Sequence, residues 1–195
     1  LALDPQLRET AMEVIKRMKQ NGAAISFDVN YRSALWSEEE ARKTIEEIFP
    51  MVDILFVSEE TSRRMLQRTG TLREILKQYS DDYGCKIVAS THREVISPTR
   101  HNFGSIIYAD GNYYEEKPYI DIEVIDRVGS GDAYVAGVLY GILSGGSINR
   151  ALSVGNALSA VKDTVPGDMS ASSIDEIESV ISAHHATGIQ DEMVR

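Results

Sequence analysis

The chain has 195 residues, an apolar fraction of 43% and a formal net charge of −10. It is long enough for a sizeable core; its acidity argues against a nucleic-acid backbone as partner, and no run approaches the roughly 18 apolar residues of a membrane span. The opening Leu1-Ala2-Leu3-Asp4-Pro5 has neither a basic segment nor a long apolar stretch, so it is not a signal peptide, and the lone Cys85 forms no internal disulfide; together these predict a cytoplasmic protein.

Helix and strand patterns alternate from the start. Asp4 caps and Pro5 opens a helix with Leu7, Ala11, Val14, Ile15 and Met18 on one face, ended by Gly22. Ala23 to Phe27 is a short apolar strand. Ser37-Glu38-Glu39-Glu40 has the spacing of a capping box and starts the next helix. Asp53 to Val57 is a second strand, after which Ser58 caps a helix that Gly70 closes. Thr71 to about Tyr83 is helical with Leu72, Ile75, Leu76 and Tyr79 inward, and Lys86 to Ala89 is a third strand. Repeated βα units imply a parallel sheet covered by helices. The pattern then changes. Ser105 to Glu116 reads as two strands around an Asp110-Gly111 turn. Ile122 to Ile125 is another strand, and three helices follow: Asp132 to Leu143, Ile148 to about Asp163 and Ile174 to about Ala183, with Ser147 and Ser173 as caps. His184-His185 has no acidic or cysteine cluster beside it and fits a solvated helix end better than a metal site.

Asp126-Arg127-Val128-Gly129-Ser130-Gly131-Asp132-Ala133-Tyr134 is the segment richest in chemistry. Two glycines flank a serine directly before a helix. The first amides of a helix lack internal partners and carry the positive end of its dipole, which suits a phosphate. A carboxylate four residues into such a loop suits a base that takes a proton from a hydroxyl. Anion cradle and base together point to phosphoryl transfer to an alcohol; the plainer alternative is an ordinary first-turn charge at Asp132. A dinucleotide loop fits poorly, because the last position of G-x-G-x-x-G falls on Tyr134. No G-x-x-x-x-G-K-[ST] occurs, and His92-Arg93-Glu94 is not the H-R-D of protein kinases. In open parallel sheets ligands gather beyond the carboxyl ends of strands, where the pattern places Asp28, Ser58, Ser90 and the glycine loop.

Asp126 to Gly141 resembles the C-terminal signature of the ribokinase-like (PfkB) carbohydrate kinases. Phe27-Asp28-Val29-Asn30-Tyr31-Arg32-Ser33-Ala34-Leu35-Trp36, Thr91 to Glu94, Ile122 to Arg127 and Thr164-Val165-Pro166-Gly167-Asp168 are similar to segments of the 2-keto-3-deoxygluconate kinases within that family. The resemblance implies a three-layer α/β/α fold with a mostly parallel sheet. It spans nearly the whole chain but only the later part of the family's fold. Residues 1–195 are therefore expected to be the C-terminal nucleotide-binding and catalytic part of one ribokinase-like domain, without its first strands and lid, and inactive in isolation.

Roles follow from the same resemblance. Asp132 is the expected general base, with the amides of Gly129, Ser130 and Gly131 stabilising the transferring phosphoryl group. Arg32, whose two parallel donors fit a carboxylate, and Asp168 are expected to bind substrate. Asp28, Asn30, Thr91, Arg93, Asn156, Val165 and Gly167 are placed along the nucleotide. ATP and Mg²⁺ are the implied cofactors, with room for a monovalent cation near Asp168. The family's Asn-x-x-Glu motif is replaced here by Ser58-Glu59-Glu60-Thr61, which leaves Glu60 as a weak metal candidate. The expected reaction phosphorylates 2-keto-3-deoxygluconate on its terminal hydroxyl, with fructokinase or ribokinase activity, or nucleotide binding without catalysis, as alternatives. Small sugar acids and nucleotides are the expected partners, in a homo-oligomer when full length.

Overall fold

The computed structural model describes residues 1–190, with side chains as far as residue 186. The chain forms two compact units, Leu1–Thr91 with Ile107–Tyr113, and His92–Ile106 with Tyr114–Arg195. Three strands run from one unit into the other: β3 (Ile87–Ser97), β4 (Arg100–Ala109) and β5 (Asn112–Glu115).

In the first unit, helix α1 (Pro5–Gln20) is capped by Asp4, whose Oδ1 accepts from the amides of Gln6 and Leu7 at 2.7 and 3.1 Å. Strand β1 (Ser26–Asp28), helix α2 (Glu38–Ile48), a 3-10 turn at Phe49–Met51, strand β2 (Ile54–Phe56) and helices α3 (Glu59–Arg64) and α4 (Leu72–Tyr83) follow. β1 pairs in parallel with β2, and β2 with β3, so that Phe27, Leu55 and Val88 lie in one row. The core is built from Ile45, Ile48, Phe49, Leu55, Ile75 and Tyr79, all buried. Asp53, buried at the start of β2, accepts from Lys19, Lys86 and the Ile25 amide.

In the second unit, β4 pairs antiparallel with β6 (Tyr119–Glu123). Helices α5 (Ser130–Leu143) and α6 (Ile148–Asp163) approach closely through small residues: a Cβ on Gly141 would lie 2.4 Å from the Ala151 Cα. Helix α7 (Ile174–Gln190) adds Ile177 and Ile181 against Val154 and Ala157 of α6. The strands hydrogen-bond in the order β1-β2-β3-β4-β5, with β6 on β4, so the sheet is mixed. This is the expected α/β class.

Several boundaries differ from the sequence pattern, each for a local reason. The third strand does not stop at Ala89 but continues to Ser97; Thr91 and Arg93 therefore sit within a strand and not past its end. Residues 92–96 are exposed, so no apolar alternation announced them. β1 starts at Ser26, because the Ile25 amide is taken by Asp53 Oδ2 at 2.9 Å. β6 ends at Glu123, because the amides of Ile125 and Asp126 both donate to the carbonyl of Asp163. Helix α3 stops at Arg64, well before Gly70, and Gln67 adopts the left-handed region with φ 54°. At Ser37 only half a capping box forms: Ser37 Oγ accepts from the Glu40 amide, but the Glu40 carboxylate turns to Arg8 at 2.7 Å. The apolar face of α1 is not buried; Leu7, Val14 and Met18 are all exposed.

Candidate active site

The glycine loop of the second unit turns abruptly into α5. Gly129 is the cap residue, in the left-handed region with φ 81°, and no side chain among the described residues caps the helix. Only glycine fits: a Cβ at this position would lie 1.8 Å from the carbonyl oxygen of Asp168. The Ser130 amide donates to Arg127 O at 3.2 Å, and Ala133 to Gly129 O at 2.8 Å. Among the described residues no acceptor takes the amides of Gly131 and Asp132. Of the amides expected to face a phosphate, that of Ser130 is thus spent within the turn, while those of Gly131 and Asp132 keep their donors at the positive end of α5. Asp132 is exposed in the first helical turn.

The loop is tied to the turn that follows α6. Asp126 Oδ1 accepts from the Val128 amide and Oδ2 from the Gly167 amide, each at 3.0 Å. These two bonds hold the Asp126 carboxyl below the usual carboxylate range, with Lys162 adding to the shift. Lys162 is fully buried, and its Nζ donates to the carbonyls of Asp126 and Val165, both at 3.0 Å. Beside it, both carboxylate oxygens of buried Asp163 have no hydrogen-bond partner among the described residues.

Positive charge borders the loop. The Arg93 guanidinium reaches Ser130 Oγ at 3.4 Å, and Ser130 Oγ also meets Ser159 Oγ at 2.9 Å. Arg93 is exposed as a residue, but its guanidinium is packed inward. Burial lowers its pKa, Asp163 opposes that, and Arg127 adds to it. His101, 2% exposed, is likewise pushed down by burial and then by Arg93 and Arg127, which favours its neutral form. Next to the loop, Val95, Pro98, His101, Ile125, Arg127 and Val128 line an open groove. Three of its apolar residues, Val95, Ile125 and Val128, are at least 60% exposed.

The structure joins some of the sequence candidates and separates others by environment. Arg93 meets Ser130, Gly167 meets Asp126, and Gly129 packs on Asp168. Asn156 is fully buried; its side chain accepts from Ser105 Oγ at 2.6 Å and donates to Glu116 at 2.7 Å, so its polar atoms serve the interior of the unit. Val165 is half-buried and supplies its carbonyl to Lys162, while Asp168 is exposed. In the first unit, Asp28 Oδ1 accepts from the Asn30 amide at 3.2 Å, and Asn30 has φ 31°. Arg32 is exposed, and its guanidinium meets the neighbouring Tyr31 carbonyl at 3.3 Å. Thr91 is half-buried within β3.

Glu60 is exposed and its carboxylate pairs with Arg64 at 3.1 Å. Among the described residues, no group of three or more His, Cys, Asp or Glu gathers as a metal site. His184 stacks on Tyr119 at 3.9 Å and meets the Lys117 carbonyl, and Cys85 is buried with its thiol pushed up to about 11. No helix among the described residues is long and apolar enough to cross a membrane.

Asp126, Lys162, Asp163, Arg127 and His101 were not picked out as site residues by the sequence. One signal was available: Lys162 follows Gly155 and Ser159 at helical spacing, on the face of α6 that is otherwise small and uncharged.

Residues 2–175 match the model described as pfkB family carbohydrate kinase. A 2-dehydro-3-deoxygalactonokinase of Haloferax volcanii is 34% identical over 180 residues, which are 92% of this chain and 54% of that protein. A crystal structure of 2-dehydro-3-deoxygluconokinase from Thermotoga maritima is 32% identical with a TM-score of 0.85, covering 91% of this chain and 55% of that one. A fructokinase double mutant from Vibrio cholerae O395, in a form bound to fructose, ADP and potassium ion, is 27% identical with a TM-score of 0.68, covering 84% and 52%. The chain thus spans about half the length of the curated relatives it matches.

Proposed function

The chain belongs to the pfkB family of carbohydrate kinases, and on that premise we propose that it moves the γ-phosphate of ATP to a hydroxyl of a keto-deoxy sugar acid, 2-keto-3-deoxygluconate foremost. The observation that carries this reading is the loop at residues 129–132, where two uncommitted helix-terminal amides and an exposed aspartate stand beside the Arg93 guanidinium.

In this reading the Asp132 carboxylate takes the proton of the substrate hydroxyl. That oxygen forms its bond to the γ-phosphorus, the bond from phosphorus to the bridging oxygen breaks, and ADP leaves with the electron pair. The amides of Gly131 and Asp132 donate to the equatorial oxygens as charge spreads over them. Arg93 adds a fixed positive charge. The groove beside the loop, with Val95, Ile125 and Val128, offers apolar surface for a nucleotide base. Bound Mg²⁺ would supply further charge neutralisation on the phosphates, and the chain would need to lend it few ligands. Arg32 binds the sugar carboxylate through paired donors. Residues 1–195 act as the C-terminal part of one ribokinase-like domain in a homo-oligomer.

The relatives named for deoxygalactono- and deoxygluconokinase activity set the choice of acceptors to compare. Coupled ADP assays on the intact enzyme would use both keto-deoxy acids, fructose and ribose. Turnover with the acids, a loss of roughly 10²–10⁴-fold in kcat for Asp132→Asn at unchanged nucleotide affinity, and a KM for the acid raised about tenfold or more by Arg32→Ala are expected. Fructose or ribose as the preferred acceptor would overturn the substrate assignment. Normal turnover by Asp132→Asn would overturn the role of the base.

A further inference from the structure

The most unusual group in the second unit is the Lys162 ammonium. A lysine is rarely fully buried, yet Lys162 is 0% exposed, and its Nζ donates to two main-chain carbonyls, Asp126 O and Val165 O, both at 3.0 Å. Those carbonyls belong to separate stretches of backbone. One leads into the glycine loop; the other opens the turn whose Gly167 amide bonds Asp126 and whose Asp168 carbonyl seats Gly129. The ammonium therefore stitches together the two segments that shape the loop. Inward-pointing carbonyl oxygens in a water-poor space are also what an alkali cation takes: potassium and ammonium carry the same charge and are close in size.

We propose that Lys162 is a positioning residue that acts as a tethered monovalent cation, fixing the glycine loop against the 165–168 turn so that the site is organised without any alkali ion from solution. The proposal rests on the kinase reading for its activity readout, but the tether itself can be read without turnover. The covalent stem places the charge at an effective concentration that no dissolved salt matches, and it keeps the amides of Gly131 and Asp132 aligned before nucleotide arrives. Dissolved potassium then has nothing to add.

The test uses the intact enzyme in buffers whose sole monovalent cation is potassium, sodium or choline. The wild type should turn over at rates within about twofold in all three. Lys162→Met should lower kcat roughly 10–100-fold by stranding two buried carbonyls, with a smaller change in the KM of the sugar. Lys162→Gly leaves an opening where the stem was, and potassium or methylammonium should restore its kcat several-fold over choline, a rescue that a merely structural side chain would not show. Hydrogen exchange of the peptide spanning residues 125–132 is followed in parallel: slow and cation-independent in the wild type, fast in Lys162→Gly in choline, and slowed again by potassium. Strong activation of the wild type by potassium, or protection in the variants equal to that of the wild type, would overturn the proposal. If the enzyme shows no turnover with any acceptor, the kinase reading fails, and the exchange data alone decide the role of Lys162.

Discussion

Gly129 is constrained twice over. Its φ of 81° lies where a side chain is strained, and the space its Cβ would need is filled by the Asp168 carbonyl. The first effect costs about 1–2 kcal/mol and overpacking adds about 1–3 kcal/mol. Gly129→Ala should therefore lower the unfolding free energy by roughly 2–5 kcal/mol in urea titrations, and kinase activity should fall further than stability, because the 165–168 turn must move to make room. Gly131 has nothing among the described residues within 4 Å of its Cβ position; Gly131→Ala is the control and should cost little stability. Two glycines that look equivalent in the motif thus differ in what their surroundings allow. Asp126 belongs to the same scale: two backbone amides depress its pKa, so the clasp it makes with Gly167 holds at neutral pH and weakens only in strong acid.

Helix α4 starts on a full capping box, as α7 does at Ser173 and Glu176. Thr71 Oγ1 accepts from the Glu74 amide at 3.3 Å while Glu74 Oε2 accepts from the Thr71 amide at 2.7 Å. Thr71→Ala should cost about 1 kcal/mol, read as a lower urea midpoint with unchanged slope. Caps of this kind explain what the sequence could reveal. Asp4, Ser58, Thr71 and Ser147 act on amides two or three residues away, so local spacing was enough to find the helices they start. The extension of β3 was hidden because residues 92–96 are exposed and carry no apolar rhythm. The glycine loop was legible because a left-handed turn into a helix demands particular residue types. The clasp around it was not: Lys162 reaches a carbonyl 36 residues away and Asp126 an amide 41 residues away, distances over which spacing says nothing. Asn156, a polar residue placed along the nucleotide by resemblance, has its side chain bound within the fold to Ser105 and Glu116, contacts 51 and 40 residues away that spacing does not reveal.

At the scale of the molecule, a net charge of −10 means that any anionic ligand would meet a repulsive average field, and attraction would have to come from local groups such as Arg93 and Arg127. It also makes acid stability depend on a few well-held carboxylates. For Asp53, burial raises the pKa, but Lys19, the Ile25 amide and Lys86 together outweigh it and bring it down from 3.8 to about 2. A carboxyl depressed in the folded state stabilises the fold fully above its unfolded pKa, and that contribution is lost as pH falls through the folded value. Wild type should therefore lose stability between about pH 4 and 2, while Asp53→Asn should be less stable by about 1–3 kcal/mol at pH 7 and should narrow that gap in acid, as followed by urea midpoints across the range.

The first unit also carries its own reporter. Cys85 is the sole cysteine of the chain, lies wholly inside, and holds its proton up to about pH 11. An alkylating reagent can meet the thiolate only when that region opens. The rate of labelling of residues 1–195 therefore times the breathing of the first unit with no engineered probe.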